Sequence, residues 1–326
     1  MKALVTGATG FVGSHLVREL NNRGYTVRAL HRASSKMEAL KGLTYESALG
    51  DVTELDALRR ACEGVDAVFH VAAVADYWRA DADHMREVNI EGTRKVLQAT
   101  RELGVKRVVF TSSAAAVGFF NDRPSNETDP FNLPPHRFPY GHSKALAEDV
   151  VREAVANGQD IVTVNPVVIM GAGDLNMISG TFMLQTKRYG MFTPITYGGI
   201  SVIDVHDVVR YHVDAYEKGV TGERYILMTE NYPYAVWFKM IADVVGVRSP
   251  IIYVPNVLLS PMANVIDFLR KLGVKTPIDA NQTRLGGVNV YFDGQKAHDL
   301  FGKPQTDMKT SLKETYTWYV ANGYMK

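Results

Sequence analysis

A tyrosine and a lysine stand four residues apart in Tyr140-Gly141-His142-Ser143-Lys144. On a helix that spacing puts a phenol and an ammonium on one face, within reach of a common ligand. A phenol with its ordinary pKa of about 10 is a poor proton carrier at neutral pH, but a nearby cation favours the phenolate and makes the phenol a better donor. Such a pair arises by chance in any chain, so its context decides. Upstream, the apolar run RVVF ends in Thr111-Ser112-Ser113. A hydroxyl at the C-terminal end of a central strand lies in the crevice where open α/β sheets bind ligands, and there it holds a carbonyl oxygen. Ser112 and Ser113 both meet that description.

A third group of residues binds rather than reacts. The strand-like KALVT runs directly into Gly7-Ala8-Thr9-Gly10-Phe11-Val12-Gly13 and then into an amphipathic helix. Glycines at these positions allow a tight turn and let a pyrophosphate approach backbone N–H groups at a helix N-terminus. At the end of the second strand, about 20 residues beyond such a turn, an NAD site carries Asp or Glu for the ribose 2′-hydroxyl. Here the position holds His31-Arg32, followed by Ser34 and Lys36. An arginine pairs with a 2′-phosphate, so the expected cofactor is NADP(H); the competing reading is a solvated surface arginine. Asp51-Val52, closing the third strand, is placed to meet the adenine, and Asp51 is equally suited to a turn.

These residues need a frame that brings them together. KALVT, YTVRALH, LTYESALG, AVFHVAA, RVVFTSS and IVTVNP read as short β-branched strands. Between them FVGSHLVRELNNRG, ELDALRRACEG, DHMREVNIEGTRKVLQATRELG and the stretch 141–157 carry helical periodicity. The alternation predicts an α/β fold with a doubly wound parallel sheet. After Pro166 the texture becomes irregular, and 201–219 with 222–229 read as one more helix and strand returning to the main sheet. The expected division is a nucleotide-binding domain of residues 1–165 plus roughly 201–229, and a smaller discontinuous α+β substrate-binding region of roughly 166–200 plus 230–326. The Pro- and Asn-rich segment before Tyr140 reads as a surface loop. Tyr77, Trp78, Phe119, Phe120 and Phe182 fall in loops after strands or in the second region, where a substrate pocket forms, and packing is the alternative for each.

Composition excludes other classes. Lys and Arg number 36 against 35 Asp and Glu, a net charge of +1, so no global field draws the chain to nucleic acid or anionic lipid. The single cysteine, Cys62, forms no internal disulfide. MKALVTGATG lacks the regions of a signal peptide, and no apolar run reaches the roughly 18 residues of a membrane span, so a cytoplasmic chain without stable membrane insertion is expected. His206 between Asp204 and Asp207 lacks partners at zinc-site spacing, so no metal is expected and structural polar contacts are the reading for this group. Asn89 reads either as a water ligand in a proton relay or as a partner of nearby backbone.

Gly7-x-x-Gly10-x-x-Gly13, the TSS of the fifth strand and Tyr140-x-x-x-Lys144 together resemble the extended short-chain dehydrogenase/reductase superfamily, the NAD-dependent epimerase/dehydratase family. The likeness runs nearly the whole chain, and GYTVRALHR, RVVFTSSAAAVG and TVNPVVIMG are most similar to its dihydroflavonol reductase-like branch. The resemblance implies a Rossmann fold, with Ser113 polarising a carbonyl, Tyr140 delivering the proton and Lys144 binding the nicotinamide ribose. It also implies that Val71, Ala72, Ala73 and Thr111 lie along the cofactor, that Asn165, Pro166 and Val168 border the nicotinamide and substrate, and that hydride leaves the B face. Homodimers, common in this superfamily, would form through a bundle that includes the Tyr140–Lys144 helix.

The reaction these features predict is NADPH-dependent reduction of a hydrophobic or aromatic aldehyde or ketone to its alcohol. A nucleotide-sugar epimerase or dehydratase is the alternative. Relatives of that kind carry an arginine for the substrate diphosphate before the HVDDV-like motif, and Gly199–Asp207 has none, leaving Arg284 as the substitute. A non-enzymatic NADP-binding sensor is a third reading, disfavoured by the intact Ser–Tyr–Lys set.

Overall fold

The computed structural model describes residues 1–75, 81–175, 177, 179–274, 276 and 279–325. Strand β1 (Lys2–Thr6) leads through the glycine turn into helix α1 (Phe11–Asn22), then β2 (Thr26–His31), β3 (Glu46–Leu49), α2 (Leu55–Cys62) and β4 (Ala67–His70). Helices α3 (Ala82–Arg86) and α4 (Gly92–Glu102), joined by a π turn at Glu87–Glu91, precede β5 (Arg107–Thr111), α5 (Pro139–Ala156) and β6 (Ile161–Pro166). Next come β7 (Val168–Met170), α6 (Gly180–Tyr189), β8 (Pro194–Ile195), β9 (Gly199–Asp204), α7 (Val205–Lys218) and β10 (Arg224–Leu227). The chain closes with β11 (Glu230–Pro233), α8 (Tyr234–Val245), β12 (Ile252–Tyr253), α9 (Asn256–Lys271), α10 (Ala280–Leu285), β13 (Asn289–Val290), α11 (Gln295–Phe301) and α12 (Met308–Ala321).

Seven parallel strands form the main sheet in the order β10-β6-β5-β4-β1-β2-β3. Strand alternation divides its side chains between two cores. Ala3, Val5, Phe69, Val109 and Val164 face one layer with α1 and α7, while Leu4, Val68, Val108 and Phe110 face α2, α4 and α5. Each Val, Leu or Phe among them, fully removed from water, contributes about 1.5–3 kcal/mol. The strand order reverses between β1 and β4, and this opens a crevice at their C-terminal ends, where the glycine turn lies.

Helix α7 and strand β10 return to the main sheet, where β10 pairs with β6. Residues 201–204 do not, which corrects the reading of that segment. They belong to β9, the central strand of a separate four-stranded sheet with β11, β13 and β7. All six β9 residues are buried, so the strand has the apolar look of a main-sheet member although its partners lie elsewhere. A third core, with Trp237, Ile241, Leu312 and Tyr319, fills the C-terminal region around this small sheet.

Candidate active site

Gly7 has φ +67°, and a Cβ there would fall 2.7 Å from the Ala72 nitrogen, so the turn after β1 is pressed against the segment after β4. Thr6 ties the same two segments: its Oγ1 accepts from Ala72 N at 3.2 Å and donates to His70 Nδ1 at 2.8 Å. His70 Nε2 then donates to Thr93 Oγ1 at 3.1 Å, whose own proton goes to Asn89 O. Both ring nitrogens are thus assigned to a neutral imidazole, and burial, aided by the Lys144 charge, holds its pKa down at about 3. Val71, Ala72 and Ala73 follow on this braced segment. Helix α1 is preceded by Gly10 at its N-cap, with no side-chain cap and no acidic residue in its first turn. Its first N–H groups, around Phe11, Val12 and Gly13, therefore lack side-chain acceptors, and the cradle fits a pyrophosphate.

At the far end of the crevice His31 Nε2 meets Ser47 Oγ at 2.7 Å, and Arg32 extends its side chain, 62% exposed, to within 3.9 Å of Asp51 Oδ2. Asp51 also accepts from Thr53 N and Oγ1 at 2.9 and 2.8 Å, the contacts of a turn-forming aspartate. The Val52 side chain is buried against Gly92 in the core beneath α4.

The residues at the end of β5 are held from three sides. Thr111 Oγ1 donates to His212 Nε2 at 2.8 Å, and Thr111 O accepts from Lys144 Nζ at 2.8 Å. Ser112 Oγ donates to Glu148 Oε1 at 2.5 Å, whereas Ser113 Oγ accepts from Ala115 N at 3.2 Å and has no acceptor among the described residues. Ser112 is therefore committed to the α5 side, and the Ser113 proton has no acceptor among the described residues. Asn165 Nδ2 donates to Ser113 O at 3.0 Å and to Glu148 Oε1 at 2.6 Å. Both partners are acceptors, which fixes the orientation of the amide. Glu148 Oε2 pairs with Arg224 Nη1 at 2.7 Å, and the same guanidinium holds the carbonyls of Glu127 and Asp129 in the loop before α5.

Helix α5 presents Tyr140 and Lys144 from its first turns. A Cβ at Gly141 would stand 2.4 Å from Ala115 O, so the Tyr140 turn is seated directly on the turn that follows Ser113. Tyr140 packs with Phe138, Ala115, Met85 and Phe119. Burial lowers the Lys144 pKa to about 8, with Glu148 acting in the opposite direction. Asn89 lies in the π turn. Its Oδ1 accepts from Val74 N at 2.8 Å, and its Nδ2 donates to Val74 O and Ser143 Oγ, so it bridges the post-β4 segment to α5.

This arrangement can be set beside known proteins. The sequence model of the NAD dependent epimerase/dehydratase family matches residues 3–227. The chain belongs to that family. Within this extended short-chain dehydrogenase/reductase group it is 34% identical over 330 residues to a putative dihydroflavonol 4-reductase of Synechocystis sp., covering 99% of this chain and 95% of the relative. It is 33% identical to sterol demethylase protein B of Methylococcus capsulatus, covering 99% of both. The crystal structure of gox2253 superposes with a TM-score of 0.87 at 31% identity and 99% coverage of each chain. The family is NAD(P)-dependent, and the homologues are oxidoreductases.

The remaining candidates scatter. Phe119 is close to the site: its ring meets Phe138 at 6.0 Å and Phe292 at 5.9 Å, and Asn132 pins its backbone N–H and C=O. Phe120 lies under the Arg123 guanidinium. Phe182 packs on Phe238 in the C-terminal core, a different cluster from that of Tyr140. Trp78 and Tyr77 lie outside the described residues. Asn165 is fully buried, so it supports Ser113 from behind. Pro166 ends β6, with Val168 following in β7. His206 Nδ1 pairs with Asp204 Oδ1 at 2.8 Å, and Ser311 donates to Asp204 Oδ2, a structural tie between α7 and α12. Arg284 is held by Asp267 Oδ2 at 2.7 Å and Asn264 Oδ1 at 2.8 Å. Glu148 escaped the sequence reading although it stands at i+4 from Lys144 and i+8 from Tyr140 on one helix face. Arg224 offered no local signal at all.

Proposed function

We propose that the protein is an NADPH-dependent reductase of a hydrophobic or aromatic aldehyde or ketone. The observation that carries this reading is the division of labour at the end of β5, where Ser112 is bonded to Glu148 and the Ser113 proton has no acceptor among the described residues. Ser113 and Tyr140 donate to the substrate carbonyl oxygen, and stabilisation of the developing oxyanion by such fixed donors is worth about 10²–10³ in rate per donor. As the carbon is reduced, the oxygen takes its proton from the Tyr140 hydroxyl. The Lys144 ammonium, anchored on Thr111 O, favours the phenolate left behind and holds the nicotinamide ribose. Gly7–Gly13 and Val71–Ala73 would hold NADPH, which when bound would supply the hydride.

Arg32 supports the choice of NADPH: it is largely exposed at the end of β2, where an NAD site has a carboxylate. The engagement of Arg284 by Asp267 and Asn264 supports a reductase over a nucleotide-sugar enzyme, since it occupies the cation available for a diphosphate. Phe119 at the Tyr140 cluster, and relatives named for a dihydroflavonol and a sterol, support a bulky apolar substrate. The test is turnover of a panel of aromatic and aliphatic carbonyls with NADPH and with NADH. Oxidation of NADPH coupled to alcohol formation is the expected result. Epimerisation of a nucleotide sugar with the cofactor retained, and no carbonyl turnover, would overturn the reading.

A further inference from the structure

Large exposed apolar side chains concentrate in two stretches of the C-terminal region, 184–197 and 251–274. In α9 only Leu259 and Ala263 are buried, while Val257 is 79% and Phe268 61% exposed, and Leu272 just after the helix is 64% exposed. Leu258, Met262 and Val265 extend the same exposed apolar character along the helix. The other stretch contributes Tyr189, Tyr197 and Phe192, the last 64% exposed. The two stretches form one surface. Strands β8 and β12 pair, Ile251 N donates to Met191 O at 3.1 Å, and the Tyr197 and Tyr253 rings lie 5.5 Å apart. A contiguous apolar face of this kind marks an interaction site.

The charges in these stretches and between them select the occupant. Arg188, Arg248 and Lys271 are exposed and have no carboxylate partner among the described residues. Asp267, an acidic residue of α9, is paired with Arg284, and Asp279 beyond the helix is paired with Arg270. A second copy meeting this face with the same face in a two-fold dimer would bring both sets of these cations into one interface, with Asp267 and Asp279 already paired. An anionic lipid surface offers both phases that the face requires, acyl chains for the α9 stripe and headgroups for its basic rim. Tyrosines such as Tyr189, Tyr197 and Tyr253 suit the boundary between them. Among the described residues no helix is long and apolar enough to cross a membrane, so the contact is peripheral.

We propose that α9, together with the surface around β8 and β12, docks the protein on a bilayer carrying anionic headgroups. The face connects to the chemistry. The segment 286–288 runs beneath Asn256 and Leu259 of α9 into β13, and Phe292 just beyond it touches Phe119 in the Tyr140 cluster. Docking needs no substrate or cofactor, so the proposal stands or falls separately from the reductase reading.

The test is flotation of the purified full chain with vesicles of phosphatidylcholine alone and of phosphatidylcholine mixed with phosphatidylglycerol, at low and high salt. The wild type floats with the mixed vesicles and less so at high salt. The exposed double substitution Val265→Glu/Phe268→Glu lowers its partitioning about tenfold or more. The triple substitution Arg188→Gln/Arg248→Gln/Lys271→Gln lowers binding to the mixed vesicles about a hundredfold and leaves binding to phosphatidylcholine unchanged. Circular dichroism matching the wild type verifies that each variant folds. A wild type that stays at the bottom of the gradient with anionic vesicles, or floats as well with the substitutions as without, overturns the proposal. A dimer in sedimentation velocity that Val265→Glu/Phe268→Glu dissociates, without vesicle binding, assigns the face to a second copy instead.

Discussion

Glu148 Oε1 lies 2.5 Å from Ser112 Oγ, and this contact separates two adjacent hydroxyls that are otherwise alike. Ser112 is turned toward α5 and becomes part of a buried network with Asn165 and Arg224. Ser113, one residue on, only accepts, from Ala115 N, and no described residue takes its proton. Ser113→Ala should lower kcat/KM by about 10²–10³ with little change in melting temperature. Ser112→Ala should do the reverse: catalysis largely intact, with about 1–3 kcal/mol of stability lost because the buried Glu148 carboxylate loses a donor. Steady-state kinetics beside denaturant titration of both variants checks the assignment, and interchanged phenotypes would refute it.

The lysine predicts a pH profile. Burial lowers the Lys144 pKa to about 8 while Glu148 favours its charged form. The ammonium is present below that value and lost above it, so kcat/KM should fall as pH rises through about 8. Glu148→Gln removes the negative charge and moves this alkaline limb to lower pH. A limb that stays in place in the variant would separate Glu148 from the titration.

The proposed preference for NADPH rests on Arg32. Its replacement by Ala would remove the proposed charge-assisted contact to a 2′-phosphate, worth about 1.5–3 kcal/mol, so NADPH should bind roughly 10–100-fold more weakly while NADH affinity holds. Fluorescence titration with both nucleotides gives the answer. Equal losses for the two would leave Arg32 a surface arginine.

Gly141 tests how tightly the two catalytic segments are seated. Alanine there would bring a methyl 2.4 Å from Ala115 O. The helix or the turn after Ser113 must shift, at about 1–3 kcal/mol. The expected variant is folded, less stable and slower in kcat, and an unchanged kcat would show that the Tyr140 turn tolerates displacement.

Much of the nucleotide-binding half was legible in the chain because its signals are local. KALVT, the glycine turn and the α1 periodicity are contiguous, and β1 with α1 follows them directly. Strand β9 was less legible for the opposite reason: SVID is equally apolar in either sheet, and its pairing with Asn231 and Asn289 depends on residues far away in sequence. The π turn that carries Asn89 interrupts a segment whose spacing reads as one helix. Within the site, Tyr140 and Lys144 were visible by spacing, and Glu148 extends the same spacing by one turn. The residues alone left Ser112 and Ser113 open, with only the family resemblance favouring Ser113, because their different contacts depend on Glu148, Asn165 and Arg224 meeting from separate elements.

The proposed chemistry turns on Tyr140 as the proton donor to a reduced carbonyl. Its most direct test compares wild type and Tyr140→Phe for NADPH oxidation with a turned-over carbonyl and, in parallel, for NADPH binding by fluorescence. The variant should show a kcat about 10²–10⁴ lower with NADPH affinity unchanged. A variant that keeps its kcat would contradict it.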